Sequence, residues 1–340
     1  MAPGKILIVK PSSLGDIVHS LPVLNALSKT FPDAVIDWVI AHGFEGLLEG
    51  HPMIRKLWII RKDNWKKIRN VRETVQSISV LFKQLKGEQY DVVIDLQGLL
   101  RSGLIASATA SPMRIGLKEA REGSRVFYTH TVEGGKNGHA VDRYLKIAGF
   151  LGCDISDVRF PLPPTGRTSF PQVPEKYAVL VPGARWGTKL WPAEEFGKLA
   201  SALPMTTLVI GGRADTDIAN VVVSLSGGKA RSLAGETDIK DLIEILRRAQ
   251  FVVSNDSGPM HIAAALAIPV FAIFGPTDPR KTGPYGGGHT IIRSSVPCAP
   301  CRRKSCEDAR CMKEITARNV YDIIAATLSR ERPKGGTERP

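Results

Sequence analysis

No apolar run in this 340-residue chain approaches the roughly 20 residues needed to cross a bilayer. The start, Met1-Ala2-Pro3-Gly4-Lys5, turns into the strand-like Ile6-Leu7-Ile8-Val9 too soon for a secretory signal, so the expected location is the cytoplasm. No G-x-G-x-x-G follows any strand-like run, which counts against a nicotinamide or flavin enzyme. No Walker A loop is present, which counts against hydrolysis of a nucleoside triphosphate. Helix-turn-helix, aromatic RNA-binding strand and finger spacing are absent too, so nucleic acid is not an expected partner.

Cysteine is scarce and uneven. Cys153 stands alone, and the other four form Cys298-x2-Cys301-x4-Cys306-x4-Cys311. That spacing suits a compact structural zinc knuckle and equally suits free thiols in a reducing compartment. A site made wholly of cysteine would be closed and would not carry chemistry.

What the chain does have is positive charge and alternation. The formal net charge of +13 points to an anionic partner: phosphorylated substrate, anionic lipid or nucleic acid. The densest basic stretch is Arg61-Lys62-Asp63-Asn64-Trp65-Lys66-Lys67-Ile68-Arg69-Asn70-Val71-Arg72, which reads either as a contact to anions or as a solvated helix face. A hydrophobic share of 43% and a charged share of 23% are those of a globular protein, and the length predicts two domains.

Apolar runs at 5–10, 35–40, 56–61 and 91–96 alternate with helical patterns at 71–86, 100–110 and 139–151. A proline-rich linker at 160–174 follows. A second series has strands at 177–181, 206–210, 251–254 and 270–274, and helices at 192–203, 214–225 and 239–249. Alternation of this kind predicts two Rossmann-like parallel-sheet domains, α/β in class, facing a cleft. The domains are placed at 1–165 and 175–316, with a last helix at 317–332 expected to cross back to the first domain and a disordered tail at 333–340.

Ligands of open α/β sheets sit beyond the carboxyl ends of the strands. There the first half offers Ser12-Ser13-Leu14-Gly15-Asp16, where Asp16 is either a helix cap or a general base. The second half offers four polar turns. Gly183, Arg185 and Lys189 suit an anion. Asp215 and Asp217 follow Gly211-Gly212-Arg213 and suit a ribose. Asn255-Asp256-Ser257-Gly258-Pro259-Met260-His261 opens a helix, where the turn is either an ordinary cap or a phosphate site. Gly275-Pro276-Thr277-Asp278 is the fourth. Together they fit a nucleoside diphosphate.

The ordered set Lys10-Pro11-Ser12-Ser13-Leu14-Gly15-Asp16-Ile17-Val18-His19, Val93-Ile94-Asp95-Leu96-Gln97-Gly98-Leu99, Ala120-Arg121-Glu122, His139-Ala140-Val141-Asp142-Arg143, Lys189-Leu190-Trp191-Pro192, Asn255–His261 and Gly275–Pro279 resembles the bacterial lipopolysaccharide heptosyltransferases, which have the GT-B fold. The motifs span residues 5 to about 280. Ser-Ser-Leu-Gly-Asp running on into Ile-Val-His favours the branch that adds the first inner-core heptose over the branch that adds the second. The resemblance implies inverting transfer of heptose from ADP-heptose to Kdo of Kdo2-lipid A, at the cytoplasmic face of the inner membrane. It makes Asp16 the general base. Ser13, Arg61, Lys62 and Arg121 would meet the acceptor. Lys189, Ser257, Gly258 and His261 would hold the donor diphosphate, and Thr277 would also bind the donor. Asp256 would orient the donor sugar, and Asp215, in competition with Asp217, would meet hydroxyls. No cofactor or metal is required, because fixed positive groups take the charge of the leaving ADP. Two departures stand out: Ser257-Gly258-Pro259-Met260 replaces the commoner Thr-Gly-Leu-Ser, and the four-cysteine segment is foreign to the best-known members. The branch that adds the second heptose, or a related GT-B transferase with another nucleotide sugar, is the alternative.

Overall fold

The structure, a computed structural model, describes residues 2–61, 71–166 and 173–331. Lys62, most of the basic stretch and the tail 333–340 lie outside the described residues. The chain divides into two units, Met1–Arg167 and Thr168–Pro340.

The first unit is built on six parallel strands: β1 (Lys5–Val9), β2 (Val35–Ala41), β3 (Lys56–Ile60), β4 (Val92–Asp95), β5 (Met113–Leu117) and β6 (His130–Val132), in the spatial order β3-β2-β1-β4-β5-β6. The second repeats the plan with β7 (Tyr177–Val181), β8 (Thr206–Val209), β9 (Ala230–Ser232), β10 (Val252–Asn255), β11 (Val270–Ile273) and β12 (Thr290–Ile292), in the order β12-β11-β10-β7-β8-β9. These are the two sheets a GT-B chain calls for. Central strands such as Tyr177–Val181 are buried at every residue. Helices cover both faces of such a sheet, so its strands read as continuous apolar runs rather than alternating ones. In each sheet the strand order reverses once, between β1 and β4 and between β7 and β10. Loops leaving the carboxyl ends of those pairs diverge and leave a crevice.

The last helix, Ala317–Glu331, was expected to cross back to the first domain. The contacts described for it are with its own unit. Val320 and Ile324, four residues apart on one face, are buried in the second core, and the helix packs on Ala193–Ala202. Its first N–H is taken by Glu195 (Ala317 N to Oε2, 2.6 Å), and Trp191 Nε1 reaches the preceding Ile315 carbonyl at 2.7 Å.

A polar knot closes the amino ends of the first sheet. Arg55 donates to the fully buried Asp37 (Nε to Oδ1, 2.9 Å) and to Glu88 (2.8 Å), and Lys5 and Lys56 reach Glu88 at 3.3 Å. Hydrogen bonding from Arg55, with help from Lys5 and Lys56, outweighs desolvation and lowers the Glu88 carboxyl to about 2. A depressed carboxyl stabilises the fold above its ordinary value of 4.5, and the contribution is lost as pH falls towards 2. Glu88→Gln is therefore expected to lower the urea midpoint at pH 7, by an amount that shrinks between pH 4.5 and pH 3. An equal deficit at both ends of that range would show that the charge is not responsible.

Candidate active site

In the first unit the site is assembled from loops that follow β1, β3, β4 and β5. After β1 the chain turns into the short helix Leu14–Val18, capped by a reciprocal box. The Asp16 Oδ2 accepts from the Ser13 N–H at 3.0 Å and from the Ser13 hydroxyl at 2.7 Å. The cap that sequence offered as one of two readings is thus present, and it also fixes the carboxylate, which remains partly exposed. The Ser12 N–H donates to Gln97 Oε1 at 3.3 Å, joining the β1 loop to the β4 loop. The Arg121 N–H donates to the Gly98 carbonyl at 2.8 Å, joining the β4 loop to the β5 loop. Gly98 has φ +64°, and a Cβ there would lie 3.2 Å from that of Ala120, so the close crossing requires glycine. Ser13, Asp16 and Arg121 therefore belong to one tied set of loops. Arg61 is exposed at the end of β3, the edge strand two places from β1, on the same carboxyl edge of the sheet.

Asp95, at the end of β4, is buried and was given no role by sequence reading. It accepts from the Tyr128 hydroxyl (2.7 Å) and from the N–H groups of Gln97 (2.8 Å) and Gly98 (3.0 Å). Burial pushes its carboxyl up, against the pull of these donors. It shapes the β4 loop rather than facing solvent.

In the second unit the centre is an ion pair. Lys189 Nζ lies 2.6 Å from Asp256 Oδ2, the Thr277 hydroxyl donates to the same oxygen at 2.7 Å, and Lys189 stands 4.7 Å above the Trp186 ring. Loops after β7, β10 and β11 meet there. The helix Gly258–Ala265 begins beside the pair, with Ser257 as its N-cap. Ser257 makes no side-chain cap, and its hydroxyl lies instead 3.2 Å from that of Ser254. Pro259 near the helix start has no N–H to leave unpaired. His261 is buried in the first turn. Exposed N–H groups and the positive end of the helix dipole suit an anion at this place.

Asp215 and Asp217 are separated clearly. The Asp215 carboxylate accepts from the Gly212 N–H at 2.8 Å, and a Cβ on Gly183 would fall 2.6 Å from it. It is thus lodged where the β7 and β8 loops touch, whereas Asp217 is exposed on the helix Thr216–Leu225. Asn255 was quoted in a motif but given no task. Its amide holds two loops at once, accepting from Trp191 N (3.1 Å) and donating to the Pro182 carbonyl (2.7 Å). A fully buried polar residue at a strand end was the signal for it.

The cysteine segment packs beside these loops. Arg302 N–H donates to the Pro276 carbonyl (2.7 Å), Thr188 donates to the Arg303 carbonyl (2.9 Å), and Lys304 lies 5.1 Å from the Trp186 ring centre. Burial, then the nearby charges of Cys298, Cys301 and Cys306, pushes the Cys311 thiol up. Among the described residues no group of three or more His, Cys, Asp or Glu is gathered closely enough to hold a metal ion.

Two doubly wound sheets, with a lysine paired to a buried aspartate at a helix start on one and a capped carboxylate on the other, define a glycosyltransferase of the GT-B class. The chain belongs to glycosyltransferase family 9 (heptosyltransferase), whose profile matches residues 78–311. It is 31% identical to lipopolysaccharide heptosyltransferase 1 of Pseudomonas aeruginosa over 322 residues, covering 89% of this chain and 87% of that one. It is similar in structure to E. coli heptosyltransferase WaaC with ADP, at a TM-score of 0.80 and 26% identity, covering 95% of this chain and 99% of the other. The same enzyme with ADP-2-deoxy-2-fluoro heptose gives a TM-score of 0.77 at the same identity and coverage.

Proposed function

We propose that this protein transfers L-glycero-D-manno-heptose from ADP-heptose to Kdo of Kdo2-lipid A, the first heptose addition of the lipopolysaccharide inner core. The observation that carries the reading is the Lys189–Asp256–Thr277 cluster at the start of Gly258–Ala265. Family membership, a relative named for this step and a similar structure holding ADP support it.

The reaction is a single displacement with inversion. The acceptor oxygen forms a bond to the anomeric carbon as the bond from that carbon to the β-phosphate oxygen breaks. The electron pair leaves on ADP, and the acceptor proton passes to Asp16. A sugar hydroxyl is a weak nucleophile, so a positioned base is needed, typically contributing about 10²–10⁴ in rate. Lys189, His261 and the N–H groups at the start of Gly258–Ala265, from Ser257 and Gly258 onward, take the charge developing on ADP, and such fixed donors contribute about 3–4 kcal/mol each. Asp256 turns the donor sugar, Asp215 meets hydroxyls of the ribose or sugar, and Thr277 holds Asp256. Ser13, Arg61, Lys62 and Arg121 meet the phosphates and carboxylates of the acceptor. The chemistry calls for no metal. No helix among the described residues is long and apolar enough to cross a membrane. The basic stretch from Arg61 to Arg72 draws the enzyme to anionic lipid at the cytoplasmic face of the inner membrane.

Incubation with ADP-heptose and Kdo2-lipid A, followed by mass measurement, is expected to show a gain of one heptose. A gain seen only on an acceptor already carrying one heptose would place the protein at the second addition. A gain seen only with a UDP-sugar would overturn the donor assignment.

A further inference from the structure

Between Cys301 and Cys306 stand three consecutive cations, Arg302, Arg303 and Lys304, all exposed. Their backbone is fixed against loops of the second unit. The Arg302 N–H donates to the Pro276 carbonyl at 2.7 Å, one residue before Thr277. The Arg303 carbonyl accepts from the buried Thr188 hydroxyl at 2.9 Å, one residue before Lys189. Arg302 itself stands at φ +57°, a left-handed conformation that costs energy in a residue with a Cβ. Farther along, Cys311 lies so close to Gly275 that a Cβ there would fall 2.8 Å from its Sγ. The cysteine segment is therefore pinned at three places to the turns after β7 and β11. These are the turns that bring Lys189 and Thr277 to Asp256.

Lys304 follows directly on the two backbone bonds. Its Nζ lies 5.1 Å from the centre of the Trp186 ring, and Lys189 Nζ lies 4.7 Å from the same centre. Each distance is within the roughly 6 Å over which a ring attracts a cation. Two ammoniums on one ring stand no farther apart than the sum of those distances, which a diphosphate spans with a hydrogen bond at each end. They differ in one respect. Lys189 is matched by Asp256 at 2.6 Å. Among the described residues no acid is paired with Lys304. The acids that follow it, Glu307 and Asp308, lie beyond Cys306, and Asp308 accepts from Arg310 at 2.6 Å. Asp278, on the turn after β11, is held by Arg280. Two like charges at one ring repel, and an anion lodged between them relieves the repulsion. The lysine–aspartate pair sums to no net charge, whereas a diphosphate brings more than one negative charge, so a further cation is needed beside it.

We propose that Lys304 is a donor-binding residue, its ammonium gripping the diphosphate of the sugar nucleotide beside Trp186, together with Lys189. The assignment deepens the donor-site reading and rests on it, and Lys189→Met tests that reading separately.

The test is calorimetric titration of ADP into wild type, Lys304→Gln, Lys304→Arg and Lys189→Met, each at low and at high salt. Lys304→Gln is expected to weaken ADP binding by about tenfold at low salt, the loss of one hydrogen bond to a charged group. The deficit is expected to shrink at high salt, because an exposed ammonium is screened. Lys304→Arg, which keeps a cation able to rest on the ring, is expected to bind ADP within about threefold of wild type. The thermal midpoint of Lys304→Gln should match that of wild type, since the side chain is exposed. A role confined to packing the segment on Trp186 would lower that midpoint and leave the salt dependence of ADP binding as it is in wild type. That result, or wild-type ADP affinity in Lys304→Gln while Lys189→Met has lost it, would overturn the role of Lys304 and leave the donor site standing. Wild-type affinity in both variants would overturn the donor site as well.

Discussion

Asp16→Asn is expected to lower kcat by about two to four orders of magnitude while leaving ADP affinity close to that of wild type. The asymmetry follows from the site. Asparagine has the same shape and keeps an oxygen that accepts from the Ser13 N–H and hydroxyl, the two bonds that cap Leu14–Val18. The loop therefore stays folded, at a cost of about 1 kcal/mol for the weakened cap. What is lost is the capacity to take a proton. The loops proposed to bind the donor leave strands of the other sheet. Steady-state kinetics with saturating ADP-heptose, alongside calorimetric titration of ADP, checks both halves. Turnover within about threefold of wild type, against the loss expected of a base, would rule out this role for Asp16.

Lys189→Met has the second largest expected effect, and it falls on the donor. Methionine keeps an apolar stem over Trp186 but removes the cation 2.6 Å from Asp256. Two losses combine. The diphosphate loses a charged donor in a place shielded from water, worth about 10²–10³ in kcat. Asp256, whose side chain is 7% exposed, keeps its charge without its cation, which is costly when one partner of a buried pair is removed. The double variant Lys189→Met/Asp256→Asn separates them. It should recover thermal stability and fail to recover ADP affinity. Affinity for ADP within about twofold of wild type in the single variant, where a lost charged donor predicts far more, would show that Lys189 does not meet the diphosphate.

Much of the architecture was legible in the chain itself. Runs such as Tyr177–Val181 and Val92–Asp95 are buried throughout, as strands of a sheet covered on both faces are. Three of the four edges were not legible, whereas β3 was. His130–Val132, Ala230–Ser232 and Thr290–Ile292 are three residues each and half solvated, too short to display a period against polar neighbours. Met113–Leu117 escaped because Arg114 interrupts it, and that side chain turns to the carbonyls of Ser111 and Phe127. The polar turns could be placed because they follow strands, but their internal order needed coordinates. Two acids two residues apart on one helix start look alike until Asp215 is found pressed against Gly183 and Gly211. Lys10 looked like one more polar residue at the end of a strand, and only packing shows it enclosed.

The bonds from Arg302 to Pro276 and from Thr188 to Arg303 tie the turns after β7 and β11 to the cysteine segment. That segment is a strap bearing two solvent-exposed thiols, Cys298 and Cys306. Its two bonds meet those turns one residue from Lys189 and one residue from Thr277, so a bend in the strap is carried to both.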